Sequence, residues 1–208
     1  MVICRICVPF YILIHSLFML RTLAPFPDFP YLRKKHKNMI PFILRQWQES
    51  DAPALAKFLN NKKIWDNCRD SLPYPYTSQD AAAFIRYIKV QEVQNNYCIE
   101  INAEAAGNIS FDRGTDVERF NAEIGYWIAE PYWNKGIMTQ ALRQAVSDYF
   151  SQTDVVRIFA KVYAGNFASM RALEKAGFRK TGIQHKACFK NGQFLDCHCF
   201  ELLKEYAL

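Results

Sequence analysis

Residues 122–150 read AEIGYWIAEPYWNKGIMTQALRQAVSDYF, and the fold turns on how this stretch is read. Glu123 to Ile128 alternates and is rich in aromatic and β-branched residues, which predicts a strand. Glu130 to Lys135 carries a proline and an asparagine and reads as a loop. From Ile137 onward Leu142, Ala145, Val146, Tyr149 and Phe150 recur at helical spacing. A strand, a short glycine-bearing turn and a helix aim several unpaired backbone N–H groups into one small space. The helix macrodipole is positive there, so the place suits a phosphate or pyrophosphate. Two readings of Gly136 stand at this point. It is a tight turn that binds nothing, or a position left bare so that an anion can reach the backbone.

Working outward, the N-terminal 38 residues differ from the rest. Val2 to Leu20 is strongly apolar but broken by Arg5, Pro9 and His15; a Pro-rich piece and the basic run Arg33 to Lys37 follow. Six cations there face only Asp28, a balance of +5, which leaves the remainder at +1 of the total +6. A near-neutral body gives no electrostatic case for nucleic acid. Residues 1–38 read in three ways: a signal peptide, a membrane anchor, or a segment upstream of a start at Met39. The last is favoured, because a regular domain over 39–208 begins at Met39, and membrane association is not expected. Seven scattered cysteines form no paired framework, which fits a reducing, cytoplasmic setting.

Within the domain, Ile40 to Trp47 predicts a first strand, and Ser50 is the candidate N-cap of a helix through Asn60. Ile64 to Asp70 is ambiguous. Leu72 to Thr77 holds two prolines and cannot be helical. Thr77, with Asp80 three residues on, caps a helix to about Gln94. Cys98 to Ile101 and Ala106 to Phe111 predict a hairpin, then a polar loop to Asn121. Val155 to Tyr163 reads as a strand inside the sheet, and a helix from Ala168 stops at Gly177. Thr181 to Phe189 and Gln193 to Leu203 flank Asn191-Gly192, a strong hairpin signal. The sum is an α+β fold with about seven strands and four helices.

Two motifs now agree. Trp133-Asn134-Lys135-Gly136-Ile137-Met138 is followed by Asn166-Phe167-Ala168-Ser169 and Leu173-Glu174-Lys175-Ala176-Gly177-Phe178. Together they resemble the GNAT acetyltransferase superfamily, the first matching its acetyl-CoA pyrophosphate loop and the second its N-x-x-S/A … G-F helix. Leu72 to Thr77, the strand Glu123 to Ile128 and the hairpin Phe189 to Asp196 resemble the ribosomal-protein N-terminal acetyltransferase branch, RimJ/RimL. The resemblance spans roughly residues 41–206 in order and spacing. It implies a GNAT fold with a mixed, mostly antiparallel sheet.

The resemblance also implies an enzyme that moves an acetyl group from acetyl-CoA, its co-substrate, to a primary amine, without a metal. The acceptor is a protein N-terminal α-amine or a small amine, and the enzyme a monomer or homodimer. The amides of Asn134, Lys135, Gly136, Ile137, Met138 and Thr139 would hold the phosphates. The splayed strand, Tyr126, Trp127, Ile128 and Ala129, would supply amides to the cofactor and to the developing oxyanion. Glu123 would collect the amine proton through a water; otherwise it is a solvated strand-end glutamate. Ser169, or a water on it, would protonate the leaving thiolate. Asn166 would bind the pantetheine arm, cap its helix, or do both. Trp133, Met138 and Leu173 depart from the commonest family residues, Leu173 standing where many relatives have a tyrosine. A CoA-binding module without catalysis is the competing reading. Cys197-His198-Cys199 alternates in a strand and cannot close on one metal.

Overall fold

A computed structural model describes residues 2–3, 40–91 and 95–207. The main sheet is built from Ile43–Arg45 (β2), Asn96–Ile101 (β3), Glu104–Arg113 (β4), Asn121–Ile128 (β5), Arg157–Tyr163 (β6), Arg179–Lys190 (β7) and Gln193–Leu203 (β8). Their spatial order is β2-β3-β4-β5-β6-β8-β7. Off this path, Val2–Ile3 (β1) lies antiparallel along Trp127 and Tyr126. Every neighbouring pair on the path is antiparallel except β5 and β6.

That one parallel pairing positions the site. It joins only Asn121–Glu123 to Arg157–Phe159. Beyond it β5 stays with β4 and β6 stays with β8, so the sheet opens into a V. β6 is internal, as its sequence predicts, but it is not apolar on both faces. Ile158, Ala160 and Val162 enter the core, while Arg157, Phe159, Lys161 and Tyr163 stay half-buried on the other face.

Helices cover both faces. Ile137–Gln152 (α4) and Phe167–Ala176 (α5) bury Leu142, Val146, Tyr149 and Leu173 against Ile124, Tyr126 and Ile158. Phe111 and Tyr149 stack at 4.0 Å between ring centroids. Ala52–Leu59 (α1), Lys62–Trp65 (α2) and Ser78–Lys89 (α3) form a second core around Leu55, Ile64, Ile85 and Trp127. Burial of such apolar stripes contributes about 25 cal/mol per Å² and is the main force holding these layers together.

The local signals were met with four adjustments. β2 is three residues long rather than eight. Ser50 does not cap α1: it lies in a 3-10 turn, Glu49–Asp51, and the carboxylate of Asp51 accepts the Gln48 amide at 2.8 Å. Arg45 donates to both oxygens of Asp51, at 2.7 and 2.8 Å, and so fixes the turn from β2. Third, α3 carries the Thr77–Asp80 capping box but ends at Lys89, because its apolar stripe stops at Ile88 and Val90 is exposed. The rest of that predicted helix falls partly on residues 92–94, outside the described residues. Finally, the ambiguous stretch after Asn61 begins as α2, whose first amides bond the Asn61 side chain. The Asn191-Gly192 turn has φ of 52° and 76°, the left-handed pair that a two-residue hairpin requires. The expectation for residues 1–38 lies outside the described residues apart from β1.

Candidate active site

The glycine-bearing turn before α4 is formed as its sequence predicts. Gly136 has φ 75° and ψ −4° directly before the 16-residue α4. A Cβ added there would meet nothing within 4 Å, so the protein itself does not crowd it. The glycine answers to the left-handed backbone, and the space beside it is open to a ligand. Asn134 is also left-handed, at φ 58°. Trp133 donates its indole N–H to the Ile128 carbonyl at 2.7 Å and thereby ties the loop to the end of β5. Met138 is buried in the core, so its side chain does not block the loop.

A cleft of about 600 Å³ opens over this turn. Asn134 to Thr139 line it on one side and Gly165, Asn166 and Phe167 on the other, with Ile128 at the end of β5. Lys63, Lys135, Arg171 and Lys175 also line it. Four cations around a ring of α4 amides make a strongly anion-seeking site. Lys63 is ion-paired to Glu130. Sequence reading missed Lys63, Asn67, Arg171 and Lys175. Arg171 and Lys175 carried a usable signal, since an i, i+4 pair shares one helix face.

The splayed strand offers fewer amides to the gap than expected. The Ala129 N–H is already spent on the Ala106 carbonyl at 2.8 Å. Antiparallel alternation turns the Trp127 N–H toward β4 as well. Tyr126 and Ile128 are left with amides directed toward the opening, where β1 lies along Tyr126. The side chain of Trp127 packs in the second core, and that of Tyr126 in the first.

Ser169 does not line the cleft. It is fully buried, and its hydroxyl is 2.7 Å from the Tyr126 hydroxyl. Burial pushes the Tyr126 phenol well above its usual range. The Ser169 amide donates to the Asn166 side chain at 3.2 Å, so Asn166 caps α5. Leu173 is fully buried.

Glu123 faces the other side of the sheet. Only 4% of it is exposed, and the Arg69 guanidinium donates to its Oε1 at 3.0 Å. Arg69 follows α2, in the stretch whose sequence was ambiguous. Above it, the β7–β8 tip folds back onto the same segment. Lys190, 3% exposed, donates to Asp70 at 2.7 Å and sits 3.3 Å from the centre of the Trp65 ring. Asn191 donates to Asp66 at 2.8 Å. These contacts roof the Glu123 side of the V. Cys68, Cys98 and Cys197 are buried, and burial pushes the Cys98 and Cys197 thiols up to about 12, far from a nucleophilic thiolate. Cys197 and Cys199 share one face of β8 and His198 the other; among the described residues no group of His, Cys, Asp or Glu could hold a metal ion. Among them too, no helix is long and apolar enough to cross a membrane.

Residues 42–179 match the family described as Acetyltransferase (GNAT) domain. An uncharacterized N-acetyltransferase of Bacillus licheniformis, p20, is 28% identical over 169 residues, covering 79% of the chain and 94% of the relative. The ribosomal-protein-serine acetyltransferase of Escherichia coli is 32% identical over 99 residues, 47% of the chain and 54% of the relative. Among solved structures, RimL, a ribosomal L7/L12 α-N-protein acetyltransferase in complex with coenzyme A, superposes with a TM-score of 0.69 at 26% identity. That match covers 80% of the chain and 98% of RimL.

Proposed function

The chain belongs to the GNAT acetyltransferase family and moves acetyl groups from acetyl-CoA to amines, and we propose how its own residues divide that work. The diphosphate of the cofactor lies on the amides of Asn134 to Thr139, at the start of α4. Lys135, Arg171 and Lys175 add charge around it, with Lys63 at the rim. The pantetheine arm enters the V along the β5 edge with which Val2–Ile3 pair in the structure, taking their place beside the Tyr126 and Ile128 amides, with Asn166 on the opposite wall. The observation that carries this reading is the left-handed, uncrowded Gly136 under a cleft lined by four cations.

The acceptor comes from the Glu123 face. A free α-amine has a pKa near 8 and a lysine amine near 10.4, so the nitrogen must lose a proton before it attacks. Glu123, held by Arg69, takes that proton through a water. The amine nitrogen adds to the thioester carbonyl, and an amide of the splayed strand meets the oxyanion. The carbon–sulfur bond then breaks and coenzyme A leaves as a thiolate. With a thiol pKa near 8.5 it is a fair leaving group without help. Buried Ser169 is a positioning residue here: with Tyr126 it fixes α5 against β5, and it lies away from the cleft where the thiolate would leave.

Met138 was one reason to weigh a CoA-binding module without catalysis, and its core position supports an intact cofactor loop. The enzyme works in the cytoplasm in this reading, which its free cysteines support. Incubation with acetyl-CoA and a mixed panel of peptides and small amines, following free thiol, tests the proposal. Acetylated product with stoichiometric thiol is expected. Binding of acetyl-CoA without turnover of any amine would leave the non-catalytic module standing instead.

A further inference from the structure

The acceptor face of the V is a charged surface, and its charges do not cancel. Arg69 is paired with Glu123. Arg157 and Arg179 both bond Glu201, at 2.8 and 2.7 Å. Lys190 is paired with Asp70. Three carboxylates therefore hold four cations, and Asp66, beside Asn191, is paired with Lys62. A fifth cation, Lys161, has no ion pair or hydrogen bond among the described residues.

Strand geometry places Lys161. Phe159 is the register partner of Glu123 across the parallel pair, and Lys161 stands two residues further along β6. Residues two apart share a face and lie about 7 Å apart along a strand. Lys161 is thus on the Glu123 face, just past the point where β5 and β6 separate. Tyr163, the next residue on that face, lies within electrostatic range of Arg69 and Cys68, so this face looks onto the segment after α2. Lys161 is half-buried and does not line the cofactor cleft, so the cofactor phosphates do not neutralise it.

Resting on the acetyltransferase reading above, the geometry points to Lys161 as the residue that selects the acceptor, favouring amines that lie close to a carboxylate. The physical reason is a matter of sign. A polyamine brings further ammonium groups beside Arg69 and an unpaired lysine, and like charges in a half-buried site repel. An acceptor with a carboxylate near its amine supplies the missing partner through a charge-assisted hydrogen bond. A cationic wall also favours the neutral, attacking form of the amine. Two sources offer this chemistry: a free amino acid with its own carboxylate, and a peptide N-terminus followed by an acidic side chain.

Acetylation kinetics on one panel test this. The panel holds peptides differing only in an acidic, neutral or basic second residue, amino acids beside their amides, and spermidine. For the wild-type chain, kcat/KM should rank acidic over neutral over basic, with spermidine last. The spread should be about tenfold per step, which corresponds to about 1.4 kcal/mol. The source is the arm, peptide or amino acid, with the larger ratio. Lys161→Glu should invert the order through KM, and Lys161→Gln should flatten it. Unchanged acetyl-CoA affinity in each variant would show an intact fold. Turnover of the neutral peptide with no preference for the acidic one, or a preference that Lys161→Glu leaves in place, would overturn the inference and leave the acetyltransferase reading intact. No turnover of any acceptor by the wild-type chain would overturn both.

Discussion

The proposed cofactor end of the V is one run of six residues whose backbone amides would meet the phosphates, with cations around it. The acceptor end is built from side chains that meet across 54, 120 and 125 residues of sequence. One end relies on amides that every residue carries, and the other on ion pairs that only particular residues can make. A backbone site tolerates many side chains but depends on conformation, so its weak point is a glycine. A side-chain site tolerates backbone adjustment but depends on charge, so its weak points are Glu123, Lys190 and Glu201. Substitutions at the two ends should therefore move different kinetic constants.

The sharpest break should come at Gly136. Gly136→Glu sets a carboxylate where the diphosphate would lie and forces a non-glycine residue to φ 75°. Acetyl-CoA affinity should fall by at least about a hundredfold, from charge repulsion on top of about 1 kcal/mol of backbone strain. Calorimetric titration measures it, and unchanged affinity would remove the phosphate role from this loop. At the other end, Glu123→Gln should lower kcat by about 10²- to 10⁴-fold while the KM for acetyl-CoA stays put. A matching drop in cofactor affinity would mean that Glu123 shapes the sheet rather than the chemistry.

Lys190→Met tests the roof. It keeps the bulk over Trp65 but removes the cation–π contact and the pair with Asp70. Asp70 is 68% exposed, so solvent screens much of that pair, and the loss should be about 1–2 kcal/mol. Thermal melting should register it, along with a several-fold rise in acceptor KM and no change for acetyl-CoA. The smallest effect concerns acid. Hydrogen bonds from Arg157, then Arg179, hold the Glu201 carboxyl below its ordinary value. A lowered carboxyl stabilises the fold above its unfolded pKa, near 4.3, and that contribution is lost as pH falls through the folded value. Melting temperature should therefore decline more steeply below about pH 4.5 in the wild-type chain than in Glu201→Gln. Identical slopes would show that the three-strand clasp contributes nothing.

The same contrast explains what could be read in advance. Strand, turn and helix around Gly136 were legible because each depends on a short window: alternation, a left-handed glycine and a 3.6-residue period. The Thr77–Asp80 box and the Asn191-Gly192 hairpin were legible for the same reason. Ser50 misled because a Ser before an apolar run satisfies the capping rule, yet Asp51 won the position through Arg45, a partner on β2. In sequence, Tyr126 to Ala129 read as a block, because nothing in it says which amides β4 consumes. Ser169 was expected beside the leaving thiolate, but it lies on the buried face of α5 against Tyr126.

The amino-acid sequence by itself determined the α+β class, the left-handed glycine turn before α4 and the placing of Glu123 on the strand beside it, because periodicity, turn chemistry and helix ends act over a few bonds. Only the tertiary structure decided that Arg69 holds Glu123, that Lys190 seals the roof over Trp65, and that Lys161 has no ion-pair or hydrogen-bond partner among the described residues. Those facts depend on which charges meet across the sheet, and a Coulomb interaction is set by distance in space, not by separation along the chain.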